Sequence, residues 1–318
     1  MSVIFLIVGL ILLVKGADYF VDGSSSIAKR LNIPSIVIGL TLVAFGTSAP
    51  ELAVSISGSI NEANGIVFGN VVGSNIVNIL FILGLSAFIT PINIKTKTIF
   101  KEMPFAILTT IAMMLMVMDG LINGDPVSTI SRSEGWILLL FFAIYLYSMV
   151  EITISDNEES QEQIPIMPIA KSIFFTISGL IAIIWGADLV VKGAIEIATI
   201  MGLSETVIGL TIVAIGTSLP ELITSVMAAK KGENDIAVGN IVGSCIFNVL
   251  LVLGISGVIY PINISPENYS DLWILLVSML IVVPMMYTSK KISRCEGILM
   301  IFGYVGYTAF IIARTALS

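Results

Sequence analysis

The chain of 318 residues is 56% hydrophobic and only 12% charged, and its mean hydropathy is +1.03. Because soluble domains carry about 25% charged residues, these polar groups cannot cover a water-facing surface, and most of the chain must face lipid. The net charge of −7 gives no basic field for nucleic acid, and the absence of histidine excludes imidazole catalysis and HExxH zinc chemistry.

Ten apolar stretches follow one another along the chain, each long enough for the roughly 20 residues that a membrane-spanning helix needs. They lie near residues 2–21, 33–60, 65–91, 102–120, 134–152, 169–191, 203–230, 234–261, 270–289 and 295–315. The first has no basic residues before it and carries Lys15 and Asp18 late in its length, so we expect a retained helix and not a cleaved signal peptide. The sequence therefore predicts an all-α polytopic membrane protein with ten transmembrane helices.

The Lys and Arg residues are distributed unevenly over the nine connections between these stretches. The odd-numbered connections contain Lys29, Arg30, Lys95, Lys97, Lys101, Lys171, Lys230, Lys231, Lys290, Lys291 and Arg294. The even-numbered connections and the two termini contain only Arg132, Lys192 and Arg314. The positive-inside rule then predicts cytoplasmic odd connections and extracellular termini, in the cell membrane.

The longest polar stretch, over 151–168, separates two halves of the chain. It contains five acidic residues and no basic residue. A solvated cytoplasmic connector is the simpler interpretation, and calcium sensing is the alternative. The predicted organisation is a first five-helix half over 1–150, this acidic connector over 151–168, and a second five-helix half over 169–318.

The two halves repeat each other at a constant offset of 170 residues. IGLTLVAFGTSAPELAVS at 38–55 matches IGLTIVAIGTSLPELITS at 208–225 in 13 of 18 positions. GNVVGSNIVNIL at 69–80 matches GNIVGSCIFNVL at 239–250 in 8 of 12 positions. Such self-similarity indicates duplication. Because each half has an odd number of spans, the second copy enters from the opposite side, so we expect inverted repeats, which in transporters place the substrate site at their interface.

Two acidic residues lie deep within apolar stretches, at equivalent positions of the repeat. They are Glu51 and Glu221, in the second and seventh stretches. A carboxylate at the centre of a bilayer costs about 2.5–3.5 kcal/mol on insertion scales, so residues of this kind are usually functional. The alternative is a protonated glutamate that stabilises helix packing. The symmetry of the pair favours a shared site near the membrane midplane.

Hydroxyl residues and a proline accompany each glutamate. The first copy has Thr47, Ser48 and Ser55, and the second has Thr217, Ser218 and Ser225. Pro50 and Pro220 each remove a backbone donor and free the carbonyl four residues earlier. Free carbonyls at membrane depth are tolerated where they line a cavity or bind a ligand. Both helices are therefore predicted to be broken at the site.

The third and eighth stretches supply further polar residues at a spacing of four. They are Asn70, Ser74 and Asn78 in one copy and Asn240, Ser244 and Asn248 in the other. For Asn70 and Asn240, which lie nearer the helix starts, helix packing is an equally good interpretation. All the candidate ligand atoms are oxygens, which suit the hard cations calcium, sodium, magnesium and manganese.

The motifs GTSAPE and GTSLPE, together with GNVVGSNIVN and GNIVGSCIFN, resemble the two alpha-repeats of the cation/calcium exchanger (CaCA) superfamily, and most closely its sodium/calcium exchanger branch. The resemblance extends over nearly the whole chain. It implies a secondary antiporter that exchanges sodium for calcium by alternating access. It also implies that the first and sixth helices form a long tilted pair that slides across the core.

The resemblance assigns the ion ligands by position. In the family, the paired glutamates bind calcium, and hydroxyl and carbonyl oxygens complete the calcium and sodium sites. The matching residues are Glu51, Glu221, Thr47, Thr217, Ser48, Ser218, Ser74, Ser244, Asn78, Asn248, Ala44 and Ala214. Family members that need potassium have an aspartate at the position of Asn248, so the amide implies independence of potassium. Some archaeal relatives also have an acid there, and in this respect the chain departs from part of the family.

Three other functions remain open at this point. A calcium/proton exchanger would protonate Glu51 and Glu221 on the return step. A passive cation channel needs a continuous pathway, usually within a ring of subunits, and the inverted pair argues against it. An intramembrane hydrolase has no nucleophile with a histidine or metal partner here, so we expect no enzyme. Apart from lipid and the transported calcium and sodium ions, no prosthetic group, obligatory protein partner or nucleic acid is predicted.

Overall fold

A computed structural model describes residues 2–119, 128–155, 167–200 and 214–317 of the chain. The described residues are almost entirely helical. The helices are α1 (Ser2–Arg30), α2 (Ser35–Thr47), α3 (Ala49–Ile60), α4 (Asn64–Ile89), α5 (Thr98–Val117), α6 (Arg132–Ser155), α7 (Ile169–Ile200), α8 (Ala214–Thr217), α9 (Leu219–Lys230), α10 (Asn234–Ile259), α11 (Asn268–Ser289) and α12 (Arg294–Leu317). The four short strands are β1 (Ile92–Asn93), β2 (Ser128–Ile130), β3 (Ile262–Ile264) and β4 (Lys291–Ile292).

Most of these helices are long and apolar enough to cross a membrane. Within the described ranges eight continuous helices meet this condition, and the bent pair of α2 and α3 makes a ninth. The predicted stretch near 203–230 corresponds to α8 and α9, but its first part, 203–213, lies outside the described residues. The chain is therefore a multi-pass membrane protein.

Several helices extend beyond the apolar stretches that predicted them. α1 continues to Arg30 through a polar segment, and α7 continues to Ile200. α6 continues to Ser155, so the first residues of the predicted connector at 151–168 are helical. Residues 156–166 of that connector lie outside the described residues.

The helix that carries Glu51 is broken one turn before it, as the sequence predicts. α2 and α3 meet at Ser48, whose backbone angles (φ −80°, ψ 6°) are not helical, and their axes bend by 48°. Pro50 in the first turn of α3 has no N–H to donate to the preceding turn. α8 and α9 meet in the same way at Ser218 (φ −88°, ψ 6°), ahead of Pro220.

Contacts between the connections define two ends of the helix bundle. At one end β1 pairs with β4, Lys95 Nζ lies 2.7 Å from Asp235 Oδ2, and Lys231 Nζ lies 2.7 Å from Asp18 Oδ1. At the other end β2 pairs with β3, and the Tyr260 hydroxyl lies 3.0 Å from Glu62 Oε2. The strand pair of the first group joins two odd-numbered connections, and the strand pair of the second joins two even-numbered ones.

α4 and α10 form the centre of the molecule. Of the most apolar 18 residues of each helix, 72% are buried in α4 and 83% in α10. These shares are larger than in the other membrane-spanning helices among the described residues. Each contains a π-helical turn, over Val77–Ile82 in α4 and Asn248–Val252 in α10. Turns of this type are often found at functional sites, because the extra residue redirects a side chain. Asn78 and Asn248 lie in these turns.

Candidate ion-binding site

Glu51 and Glu221 lie in the first turns of α3 and α9, and each side chain is only 1% exposed. The partial positive charge at a helix N-terminus favours a carboxylate there. Burial of two carboxylates nevertheless carries a large desolvation penalty unless they are paired or neutralised. In the described parts of the chain no group of three or more His, Cys, Asp or Glu side chains is placed to hold a metal ion.

Serine hydroxyls connect each glutamate to the other half of the chain. Ser48 Oγ donates to Glu221 Oε1 at 3.0 Å, and Ser218 Oγ donates to Glu51 Oε1 at 3.2 Å. Ser244 Oγ lies 3.0 Å from Ser48 Oγ and 3.4 Å from Glu221 Oε1. Both glutamates therefore lie where the two halves of the chain meet. Each broken helix presents its serine to the glutamate of the other copy.

Four acceptor oxygens at this interface have no hydrogen-bond partner among the described residues. They are Glu51 Oε2, Glu221 Oε2, Asn78 Oδ1 and Asn248 Oδ1. All four residues are at most 1% exposed, so water does not solvate these atoms from the surface. A buried acceptor without a partner is unfavourable by about 1–3 kcal/mol, and by more when it is charged. Carboxylate and amide oxygens are the kinds of ligand that hard cations prefer.

Other predicted ligands are engaged in contacts within the protein. Thr47 Oγ1 donates either to Asn240 Oδ1 at 2.9 Å or to Val43 O at 3.1 Å, and Ala44 O accepts from the Ser48 N–H at 2.9 Å. Ser74 is buried on α4, four residues before Asn78, and Thr217 is half-buried. Ala214 is the first residue of α8. The structure thus places Ser48 and Ser244 beside the Glu221 carboxylate and Ser218 beside that of Glu51. The Thr47 hydroxyl also interacts with Glu221, whereas the Ala44 carbonyl accepts from the backbone at the helix break.

Asn70 and Asn240 support the broken helices from behind. Asn70 Nδ2 donates to Glu51 O at 3.0 Å and to Ser55 Oγ at 2.9 Å. Asn240 Nδ2 makes the equivalent contacts, to Glu221 O at 3.4 Å and to Ser225 Oγ at 2.9 Å. Of the two interpretations that the sequence leaves open for these amides, the structure favours the packing role, because the amides hold the glutamate backbone in place.

Asn75 is a member of this cluster that the pattern of equal spacing does not reveal. It is fully buried and contacts both Asn248 and the backbone carbonyl of Cys245. Because the repeat places Cys245 at the equivalent position, Asn75 has no counterpart and does not stand out as one of a symmetric pair. The one available signal is this break in an otherwise matched motif.

Comparison with known proteins identifies the family. The model of the family described as sodium/calcium exchanger protein matches residues 1–150 and 171–313. The chain belongs to the sodium/calcium exchanger family. This is a family of transporters and not of enzymes, and the chain shares its helical membrane architecture.

Individual relatives of this exchanger match over almost their whole length. The chain is 38% identical to the putative antiporter CaxA of Alkalimonas amylolytica, over 96% of this chain and 97% of the relative. It is 33% identical to the sodium/calcium exchanger MaX1 of Methanosarcina acetivorans, over 95% and 96%. A solved structure of the sodium-calcium exchanger NCX_Mj, soaked with sodium and calcium, superposes with a TM-score of 0.83 at 34% identity and covers 97% of both chains.

Proposed function

We propose that this protein is a secondary antiporter that exchanges sodium for calcium across the membrane. One observation carries the proposal: a carboxylate oxygen and an amide oxygen from each half of the chain are buried without a hydrogen-bond partner among the described residues. The similarity to MaX1 and to NCX_Mj, both named as sodium/calcium exchangers, supports these two ions. Glu51 and Glu221 would bind calcium, with Ser48, Ser218, Ser74, Ser244, Asn78 and Asn248 completing the calcium and sodium sites.

The topology that we propose has ten transmembrane helices in two inverted repeats. Support comes from the contacts at the two ends of the bundle, because β1 pairs with β4 and β2 with β3 without mixing odd-numbered and even-numbered connections. This separation is expected if the chain crosses the membrane once between successive connections. The concentration of Lys and Arg in the odd connections then orients that end to the cytoplasm and both termini to the outside.

Exchange follows from the charge of the site. Two ionised carboxylates give it a formal charge near −2, which is expensive in a medium of low dielectric constant. One calcium ion neutralises this charge, whereas sodium must do so with more than one ion. If the oxygens are shared, the two occupancies exclude each other, and each neutralised form crosses the barrier more readily. With more than two sodium ions per calcium, transport carries net charge and responds to the membrane potential.

Alternating access requires one part of the protein to move against another, and we propose that α1 and α7 are the moving pair. Glycines allow their backbones to approach closely: a Cβ built at Gly16 would lie 2.9 Å from Gly179 O, and one at Gly179 would lie 2.7 Å from Gly16 O. Such close backbone packing favours movement of α1 and α7 as one unit. Both helices also pack against the broken helices, since Phe20 and Leu180 lie beside Gly46.

The rival function is calcium/proton exchange, in which protons replace sodium on the two glutamates. The serine hydroxyls that bridge the repeats favour sodium, because protonation of a carboxylate needs no additional oxygen ligands. A passive channel would pass calcium without any gradient of a second ion. These functions differ in what drives calcium movement, so a transport assay distinguishes them.

The proposal is tested with the purified protein in sodium-loaded liposomes. We expect uptake of labelled calcium to require the outward sodium gradient and to fall to the level of protein-free liposomes when sodium is equal on both sides. Because Asn248 is neutral, external potassium in place of choline should leave the rate unchanged. Uptake driven by a pH gradient in the absence of sodium would transfer the assignment to proton exchange, and uptake without any gradient would exclude an antiporter.

A further inference from the structure

The side-chain amide of Asn248 has two different ends, and only one of them suits a cation. Its oxygen is an acceptor, whereas its NH2 group is a donor that a cation repels. The atom that faces the glutamates therefore decides whether Asn248 helps or hinders ion binding. An isolated asparagine could adopt either orientation, because the two are related by a rotation of the amide.

A chain of hydrogen bonds through Asn75 fixes the orientation of this amide. Asn75 Nδ2 donates to the backbone carbonyl of Cys245 at 3.2 Å, and Asn248 Nδ2 donates to Asn75 Oδ1 at 3.0 Å. A backbone carbonyl can only accept, so Asn75 must direct its NH2 group towards Cys245 and its oxygen towards Asn248. Asn248 must then direct its NH2 group towards Asn75, which leaves Asn248 Oδ1 as the atom without a partner.

We propose that Asn75 is a positioning residue for ion binding, which holds the Asn248 amide so that its oxygen faces the ion. The inference rests on the proposed function, because it takes Asn248 Oδ1 as a ligand. Burial makes the relay effective: Asn75 is 0% exposed and Asn248 is 1% exposed, so water does not compete for these donors and acceptors. The relay crosses between the repeats, since it starts from the carbonyl of α10, passes through α4 and returns to α10.

The relay has no copy on the other side of the site. The residue equivalent to Asn75 is Cys245, and its thiol interacts with the Asn78 amide. A thiol is both a weak hydrogen-bond donor and a weak acceptor, so it constrains the Asn78 amide less firmly than Asn75 constrains the Asn248 amide. The two halves of the site therefore differ although their glutamates are equivalent. Asn248 is the more firmly oriented of the two amide ligands.

The test is a double-mutant cycle in which the second change removes the need for orientation. Asn75→Leu keeps the branched shape of the side chain but offers no acceptor, so we expect it to weaken calcium binding about tenfold, the loss expected for one ligand oxygen. In an Asn248→Asp background both oxygens of the side chain are equivalent, and Asn75→Leu should then change calcium affinity by less than about twofold. The measurement is equilibrium binding of labelled calcium to the purified variants, with KM and kcat for uptake alongside.

Two controls separate the possible outcomes. Asn75→Ala removes the same amide and replaces Asn75→Leu if the larger side chain of leucine prevents folding. Ser256→Ala changes a buried residue outside the cluster, and this variant should bind calcium as the unaltered protein does. An equal loss in both backgrounds, or no loss with Asn248 present, would overturn the relay. Glu221→Gln reports on the proposed function separately, because retention of calcium binding in that variant would refute the site itself.

Discussion

Replacement of either glutamate by glutamine is expected to abolish calcium binding and transport. Glu51→Gln and Glu221→Gln keep the shape of the side chain and an oxygen that can accept from Ser218 or Ser48, but each removes one of the two negative charges. Removing one member of a buried pair of opposite charges, here the carboxylate that faces the calcium ion, costs about 3–5 kcal/mol. This corresponds to a loss of at least about a hundredfold in calcium affinity. Binding of labelled calcium to purified protein measures the loss directly.

The matched control for these variants is Glu62→Gln. Glu62 is exposed at the far end of the bundle, where its carboxylate accepts from the Tyr260 hydroxyl, and the same chemical change there should leave calcium affinity unaltered. The symmetry of the site predicts similar losses for the two buried glutamates. If either buried variant bound calcium with the affinity of the unaltered protein, the glutamates could not be its ligands.

The second large effect is expected from the glycines of α10 that contact α2. A Cβ built at Gly243 would lie 2.8 Å from Ala44 Cβ and 2.9 Å from Leu40 O, so a larger residue meets backbone that cannot move aside. Gly243→Leu should therefore push α2 away from α10 and lower the free energy of unfolding by about 1–3 kcal/mol, the usual range for an overpacked core. Calcium uptake should fall as well, since Ser48 and Ser244 then separate.

A glycine on the outer face of α12 provides the comparison. No atom in the described part of the chain lies within 4 Å of a Cβ built at Gly306, and this residue is exposed. Gly306→Leu should unfold at the same temperature as the unaltered protein and retain its calcium uptake. Thermal unfolding in detergent measures both variants, and equal stability of Gly243→Leu and Gly306→Leu would show that the α2–α10 contact is not a close one.

The elements that the sequence predicts well are those whose signals are strong and local. The apolar stretches locate the helices, and the repeated GTSxPE motif locates both breaks, because a proline within an apolar stretch interrupts the helical hydrogen bonds. Helix ends are less well predicted. α1 and α6 continue for several residues past their apolar stretches, since nothing in hydropathy marks where a helix ends in water.

The composition of the site is predictable from the repeat, but its connectivity is not. The constant offset of 170 residues alone pairs Glu51 with Glu221 and Asn78 with Asn248. It does not show that Ser48 bonds to Glu221 and that Ser218 bonds to Glu51, because a repeat identifies which residues correspond and not which ones touch. Asn75 is missed for the complementary reason: its role depends on a backbone carbonyl, which every residue possesses.

The central claim is that calcium and sodium compete for one set of oxygens around Glu51 and Glu221. It is tested most directly by titrating sodium against labelled calcium bound to the purified protein, with choline keeping the ionic strength constant. We predict that sodium displaces calcium completely and more steeply than a one-to-one competition, because more than one sodium ion is needed to balance the charge. Calcium that remains bound at saturating sodium would contradict a shared site.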